Sequence, residues 1–172
     1  MGINAPTGVA PGRRVTAIPT PPAASSVAAR RVMQGNRKRD TGPEIRFRRA
    51  FFAAGFRYRV NYELRGEDGQ SVRADLVFPR RKVAVFIDGC FWHRCPTHGT
   101  RPRSNSAYWD AKLAANEMRD VRTTASLESS GWVVLRLWEH ETSSQGLDRL
   151  HVALGDQRGL LPGKRLSKVT GL

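Results

Sequence analysis

Two short, nearly continuous apolar runs constrain this chain most: Val83-Ala84-Val85-Phe86-Ile87 and Trp132-Val133-Val134-Leu135-Arg136-Leu137-Trp138. Continuous rather than alternating hydrophobicity marks strands covered on both faces, as at the centre of an α/β sheet. Between them the sequence predicts a long helix from about Ser106 to Ser129, stopped by Gly131, with Leu113 and Val121 on its core side. Upstream, Thr41-Gly42-Pro43-Glu44 has the form of a capping box with Pro in the first turn, followed by Phe47, Ala50, Phe51 and Ala54 at helical spacing. From Phe56 to Tyr62 the apolar period switches to two, which predicts a half-buried strand; a turn at residues 65–69 leads to a second strand, Val72 to Phe78. Leu147, Leu150 and Leu154 suit a short final helix. The order α-β-β-β-α-β-α predicts a mixed sheet flanked by helices, an α/β sandwich.

Charge narrows the partners. The 172 residues carry 29 Lys+Arg against 15 Asp+Glu, a net charge of +14, which favours a polyanion because neutralising phosphates releases counterions. No apolar run approaches the length of a membrane span, which argues against an integral membrane protein, and two cysteines cannot build a disulfide-rich scaffold. Residues 1–24 are rich in Pro and Ala and free of acids, and are expected to form a disordered arm. A transit peptide is a competing reading of that composition, whereas Arg13-Arg14 lacks the apolar stretch of an export signal. Residues 25–155 form the expected folded domain and residues 156–172 a basic tail.

Residues 88–105 are dense in Cys, His, Gly, Pro and aromatics, the composition of an irregular functional loop. Cys90, Cys95 and His98 follow a C-x4-C-x2-H spacing, and His140 comes just after the last strand; four such N/S donors suit structural zinc. Free thiols and surface histidines are the alternative. Asp75 interrupts an apolar strand, and a charge there is costly unless paired, metal-bound or on an exposed face. Asp88 ends the adjacent strand and Glu44 begins the first helix; converging carboxylates at strand ends would suit Mg²⁺, although Glu44 also serves as the capping-box acid. His93 can exchange a proton near neutral pH, or act structurally. Phe91, Trp92, Tyr108 and Trp109 can fill a core, or pry base pairs apart. Lys112, Asn116 and Arg119 recur at i, i+4 and i+7 of the long helix.

The run Asp88-Gly89-Cys90-Phe91-Trp92-His93, with Cys95-Pro96 and His98-Gly99, resembles the very short patch repair (Vsr) DNA mismatch endonucleases. The resemblance extends in register over about residues 26–141. It takes in Asn36 to Glu44, Arg73-Ala74-Asp75, Tyr108-Trp109, Lys112, Asn116, Arg119-Asp120, and Gly131-Trp132 through Trp138-Glu139. It implies a restriction-endonuclease-like fold with a structural zinc site and a Mg²⁺-dependent nick in one strand of double-stranded DNA. The cut falls 5′ of the thymine of a T:G mismatch left by deamination of 5-methylcytosine. By the same resemblance Asp75 is the Mg²⁺-binding aspartate, His93 the catalytic histidine and Glu44 a supporting acid, while Cys90, Cys95, His98 and His140 hold zinc. Phe91, Trp92 and Trp109 would intercalate and Met33 would enter the minor groove. Arg30, Arg31, Arg37, Lys38 and Arg39 would grip phosphates, and Lys112, Asn116 and Arg119 would also face DNA.

Three features depart from the best-studied family pattern: Asp88 stands where that pattern has a second histidine, although many relatives carry Asp there, Ala74 replaces a proline, and the zinc set is two Cys and two His rather than three Cys and one His. No lysine follows the acid in the usual nuclease order, which leaves acid–base work to His93. A monomer acting in the bacterial cytoplasm is expected, with mismatch-repair proteins as candidate partners. Competing readings are a restriction or defence nuclease without T:G preference, a zinc-stabilised DNA-binding module without catalysis, and an RNA-binding protein.

Overall fold

In the computed structural model, residues 39–155 and Thr20 are described. The readings placed on the N-terminal arm, on Arg30, Arg31, Met33, Arg37 and Lys38, and on the tail from residue 156 lie outside the described residues.

Helix α1 spans Gly42–Ala53. Thr41 caps it, its Oγ1 accepting from the Glu44 N–H, while Glu44 Oε2 accepts the Asp40 N–H at 3.0 Å. The acid therefore reaches back one residue beyond the cap, which joins the helix start to the chain before it. Phe47 and Phe51 are fully buried, as their i, i+4 spacing predicts.

Strand β1 is Arg59–Arg65, three residues later than the alternation from Phe56 predicts. Phe56 and Tyr58 do point inward, but as incoming coil: both pack edge-on against Phe78, and the Tyr58 hydroxyl donates to the Arg48 carbonyl at 2.6 Å. Period-two burial is thus met without a ladder. Within β1, Asn61 takes a left-handed φ of 48°, which kinks the strand, and Val60 is left 43% exposed. β2 (Ser71–Phe78) pairs antiparallel with β1, and β3 (Val83–Asp88) pairs antiparallel with β2 after the single turn Pro79–Arg81. Helix α2, Ser106–Ser129, crosses over so that β4 (Val133–Trp138) lies parallel to β3, and α3 is Ser143–Ala153. The sheet order is β1-β2-β3-β4, a mixed sheet flanked by helices, as expected.

Each face of the sheet has its own core. Leu76, Phe78, Val83, Val85, Leu135 and Leu137 meet α1 and α3 on one side, through Phe47, Phe51, Leu150 and Leu154. Ala74, Val77, Ala84 and Phe86 meet α2 on the other, through Leu127. The two continuous apolar runs are therefore the parallel pair β3 and β4, but they are not equally covered. β3 is central and buried from both sides, whereas β4 lies at the sheet's edge, with Leu135 and Leu137 inside and Val133 exposed. One helix position also departs from expectation: Leu113 is buried, but Val121 is 65% exposed, because α2 leans on the sheet mainly through its C-terminal Leu127. Among the described residues no helix is long and apolar enough to cross a membrane.

Candidate active site and metal centre

The two cores also locate a break in β2. Ala74 and Val77 belong to one face and Leu76 and Phe78 to the other, so strict alternation fails at Asp75. The β2–β3 ladder stops at Leu76↔Val85, and beyond it Asp75 Oδ2 accepts the Ile87 N–H at 2.7 Å in place of a backbone carbonyl. Asp75 thus stands where the two strands part. Its other oxygen accepts no hydrogen bond from the described residues. Burial pushes its pKa up to about 6; the Ile87 N–H works the other way, and the charges of Glu44 and Asp88 add to the rise. Such an acid is a good partner for a hard cation, which removes the penalty of holding charge away from water.

Asp88 ends β3 but is not free in the same sense. Both its oxygens take the Arg136 guanidinium, Oδ2 from Nε at 2.7 Å and Oδ1 from Nη2 at 2.8 Å. The half-buried Arg136 guanidinium thus engages both oxygens of that carboxylate, whereas Asp75 has one oxygen free of such a partner among the described residues. Glu44 is buried and holds Arg48, whose Nη2 donates to Oε2 at 2.8 Å. Cap and charge neighbour of Asp75 are compatible roles, and Glu44 has both.

His93 lies on the α2 side of the sheet. Its Nδ1 is 2.5 Å from Asp120 Oδ2 and 3.6 Å from Asp88 Oδ1. Arg136 Nη2 bridges to Asp120 Oδ1 at 3.2 Å, closing a ring of Asp88, Arg136, Asp120 and His93. Burial acts to raise the Asp120 carboxyl, but the His93 hydrogen bond and the Arg136 charge outweigh it and hold the acid below its usual range. The same two carboxylates hold Arg136 firmly charged against the opposing effect of burial. With Nδ1 occupied, Nε2 is the ring atom left for proton transfer. A cavity of about 540 Å³ opens beside this ring of charges, between α2 and β4.

Neither Asp120 nor Arg136 stands out in the sequence as a residue of the reaction. Asp120 continues the Lys112, Asn116 face of α2 by four residues, and Arg136 is a charge inside an apolar strand, the same signal that marks Asp75. Asn116, expected to face DNA, is buried, and its amide donates to the Trp92 carbonyl at 3.1 Å. Its observed work is holding the loop, whereas Arg119 is exposed.

The loop after β3 gathers the remaining residues. Cys90 N–H donates to Glu139 Oε1 at 2.6 Å, tying the loop to the end of β4. Cys90, Cys95, His98 and His140 place all four ligand atoms within 4.8 Å of one another; among the described residues no other group of three or more Cys, His, Asp or Glu converges in this way. Cys90 Sγ is 3.1 Å from His140 Nδ1, and Cys95 Sγ is 3.7 Å from His140 Nδ1 and 3.9 Å from His98 Nδ1. Zinc bonded at its usual lengths has tetrahedral edges of about 3.4–3.8 Å, so donor types and spacing both fit. Burial and the neighbouring Cys95 thiol push Cys90 up to about 12, a penalty that a bound dication would reverse. Three rings sit on the same loop and the start of α2: Phe91 is 5.0 Å from Trp92 and 5.4 Å from Trp109, centroid to centroid, all three partly exposed.

Comparison with known proteins accords with this site. A family model described as DNA mismatch endonuclease Vsr matches residues 25–98. The type II nicking enzyme V.NaeI of Lentzea aerocolonigenes is 51% identical over 128 residues, covering 74% of this chain and 77% of that protein. The type II nicking enzyme V.XorIIP of Xanthomonas oryzae pv. oryzae is 38% identical over 122 residues, covering 68% and 83%. DNA mismatch endonuclease Vsr of Escherichia coli K12 is 31% identical over 102 residues, covering 59% and 62%. Fold and relatives together define a DNA endonuclease. More particularly, the chain belongs to the Vsr family.

Proposed function

We propose that this endonuclease nicks one strand of duplex DNA on the 5′ side of a thymine mispaired with guanine, opening a short repair tract. The observation that supports the reading is that Asp75 binds the Ile87 N–H near the end of β3, and that the loop leaving that strand carries the His93–Asp120 pair and the Phe91/Trp92/Trp109 cluster. Asp75 would hold Mg²⁺ together with phosphate and water oxygens, and Cys90, Cys95, His98 and His140 would hold zinc. When bound, Mg²⁺ neutralises phosphate charge and acidifies attacking water. His93, held through Nδ1, offers Nε2 to take a proton from water or give one to the leaving oxygen, an effect worth about 10²–10⁴-fold. Asp120 fixes the ring and its tautomer, and Arg136 keeps Asp120 and Asp88 in place.

Phe91, Trp92 and Trp109 would enter the base stack. Unstacking costs a few kcal/mol per step and least where pairing is already faulty, so a rigid aromatic cluster favours a mismatch. The domain of residues 25–155 would act with its basic N-terminal segment on DNA, through Met33, Arg37 and Lys38, and with Lys112 and Arg119 of α2.

Matched duplexes differing only in T:G, T:A or C:G at one position test the proposal, with Mg²⁺ and with Asp75→Ala as control. Nicking confined to the T strand of the T:G duplex and lost in the variant is the expected result. Equal nicking of all three would retain the endonuclease and discard mismatch selection, leaving a nicking enzyme, as V.NaeI and V.XorIIP are named.

A further inference from the structure

At the other end of the sheet, Arg57, Arg59, Arg80 and Arg81 surround a groove of about 560 Å³ floored by Tyr58 and Phe78. None of its lining residues belongs to the candidate active site: along β2 Asp75 lies about 10 Å from Phe78, and along β3 Asp88 lies about 16 Å from Val83. All four arginines are exposed, and none has a carboxylate partner among the described residues. Their ordering comes from neutral groups instead. Arg57 Nη1 donates to the Phe52 and Phe56 carbonyls at 3.3 and 3.0 Å, with its guanidinium 4.0 Å over the Phe52 ring. Arg59 lies 5.0 Å over Tyr62. Arg80 and Arg81 project from the tight turn Pro79–Arg81, which Lys82 closes in a left-handed conformation.

The contrast with Arg48, Arg136 and Arg149, each held by a carboxylate, gives the groove its meaning. A guanidinium oriented by carbonyls and rings keeps its full charge and presents its remaining N–H edge to an anion. We infer that this groove is a second DNA-backbone site, taking phosphodiesters of the duplex that flanks the cleavage site. Duplex DNA is the occupant the distances favour: about 10–16 Å corresponds to about three to five nucleotides of one strand, so DNA seated at Asp75 and His93 extends past the groove. Contacts to backbone phosphates without base edges would strengthen binding irrespective of sequence. The inference goes beyond mismatch selection and stands whether or not T:G is preferred, because its readout is binding.

The test replaces the four arginines by Gln in the full chain and compares a short duplex covering only the cleavage site with a long duplex carrying flanks. On the long duplex, the expected result is a fall in affinity of about 10–100-fold and a log–log salt slope shallower by about 2–4. On the short duplex, affinity and nicking rate should stay at the parent values. Arg80→Gln/Arg81→Gln, confined to an exposed turn, should give about half the slope change, and it guards against misfolding from loss of the Arg57–Phe52 contact. An unchanged salt slope on the long duplex overturns the inference, as does an equal loss on both duplexes. Unchanged DNA binding with lost affinity for polyglutamate would assign the groove to an acidic protein instead, and would equally overturn it.

Discussion

Replacing Asp75 by Asn should make the protein more stable and inactive at once. Asp75 is held at a pKa of about 6 against an ordinary 3.8, because burial disfavours its charged form. Folded and unfolded chains both carry a neutral acid below 3.8, so there the penalty is absent. It grows as pH rises from 3.8 to 6 and is complete above that, where the native state holds a charge the unfolded chain accommodates more easily. At 1.36 kcal/mol per pKa unit the limit is about 3 kcal/mol, and relaxation around a half-buried group makes about 1–3 kcal/mol the expected gain at pH 8. The replacing amide is isosteric with the carboxylate, and its oxygen can still accept from the Ile87 N–H. For a domain of this size the gain corresponds to a rise in Tm of roughly 5–10 °C. Thermal melts of both proteins in Mg²⁺-free buffer without chelator, from pH 8 down to pH 4, measure it, and the difference should shrink towards zero at the acid end. An equal or lower Tm for Asp75→Asn at pH 8, or a gap independent of pH, would refute the assignment of Asp75 as a strained acid waiting for a cation.

Three further outcomes follow from the same geometry. Metal analysis of the purified protein should give one zinc per chain, and Cys95→Ala or His140→Ala should abolish it and lower the melting temperature, since metal-binding energy at a structural site is folding energy. Asp120→Asn should lower kcat by about 10²–10⁴-fold with KM nearly unchanged, as expected for a group that acts through His93; an equal rise in KM would place it in DNA binding instead. Arg136→Met leaves Asp88 buried without its partner and should destabilise by about 3–5 kcal/mol, whereas Arg136→Met with Asp88→Asn should recover most of that loss in a denaturant titration.

Legibility in the sequence follows how local the cause is. Strands β3 and β4 and helix α2 are readable because continuous apolar runs and a Gly stop are properties of the segment itself. Which of the two strands lies at the edge is not, since that depends on what the chain places beyond it. Strand β1 begins later than its pattern because alternation records only which side chains turn inward; Phe56 and Tyr58 meet it by packing on Phe78 from outside the ladder, which starts at Arg59↔Val77. Val121 escapes burial because helical spacing defines a face but not how far along the helix the sheet reaches. The four metal-site residues are legible as chemistry, and the fold brings them together. Asp120 and Arg136 are not, since a surface-like acid and a strand arginine become meaningful only when a crossover sets them beside Asp88 and His93. Asn116 shows the converse: its face is the expected one, and its partner is the Trp92 carbonyl.

The kink at Asn61 has one more effect. β1 is an edge of the sheet, and its outer backbone groups would otherwise invite a strand from another copy. A left-handed residue in the middle throws those donors and acceptors out of line, and Arg59, Glu63 and Arg65 along the same strand add charge that a neighbouring copy would have to bury. Copies brought together on one polyanion by a charge of +14 would meet a bent and charged edge there rather than a flat one. A bend in a single edge strand would then oppose edge-to-edge association on the very DNA that concentrates the protein.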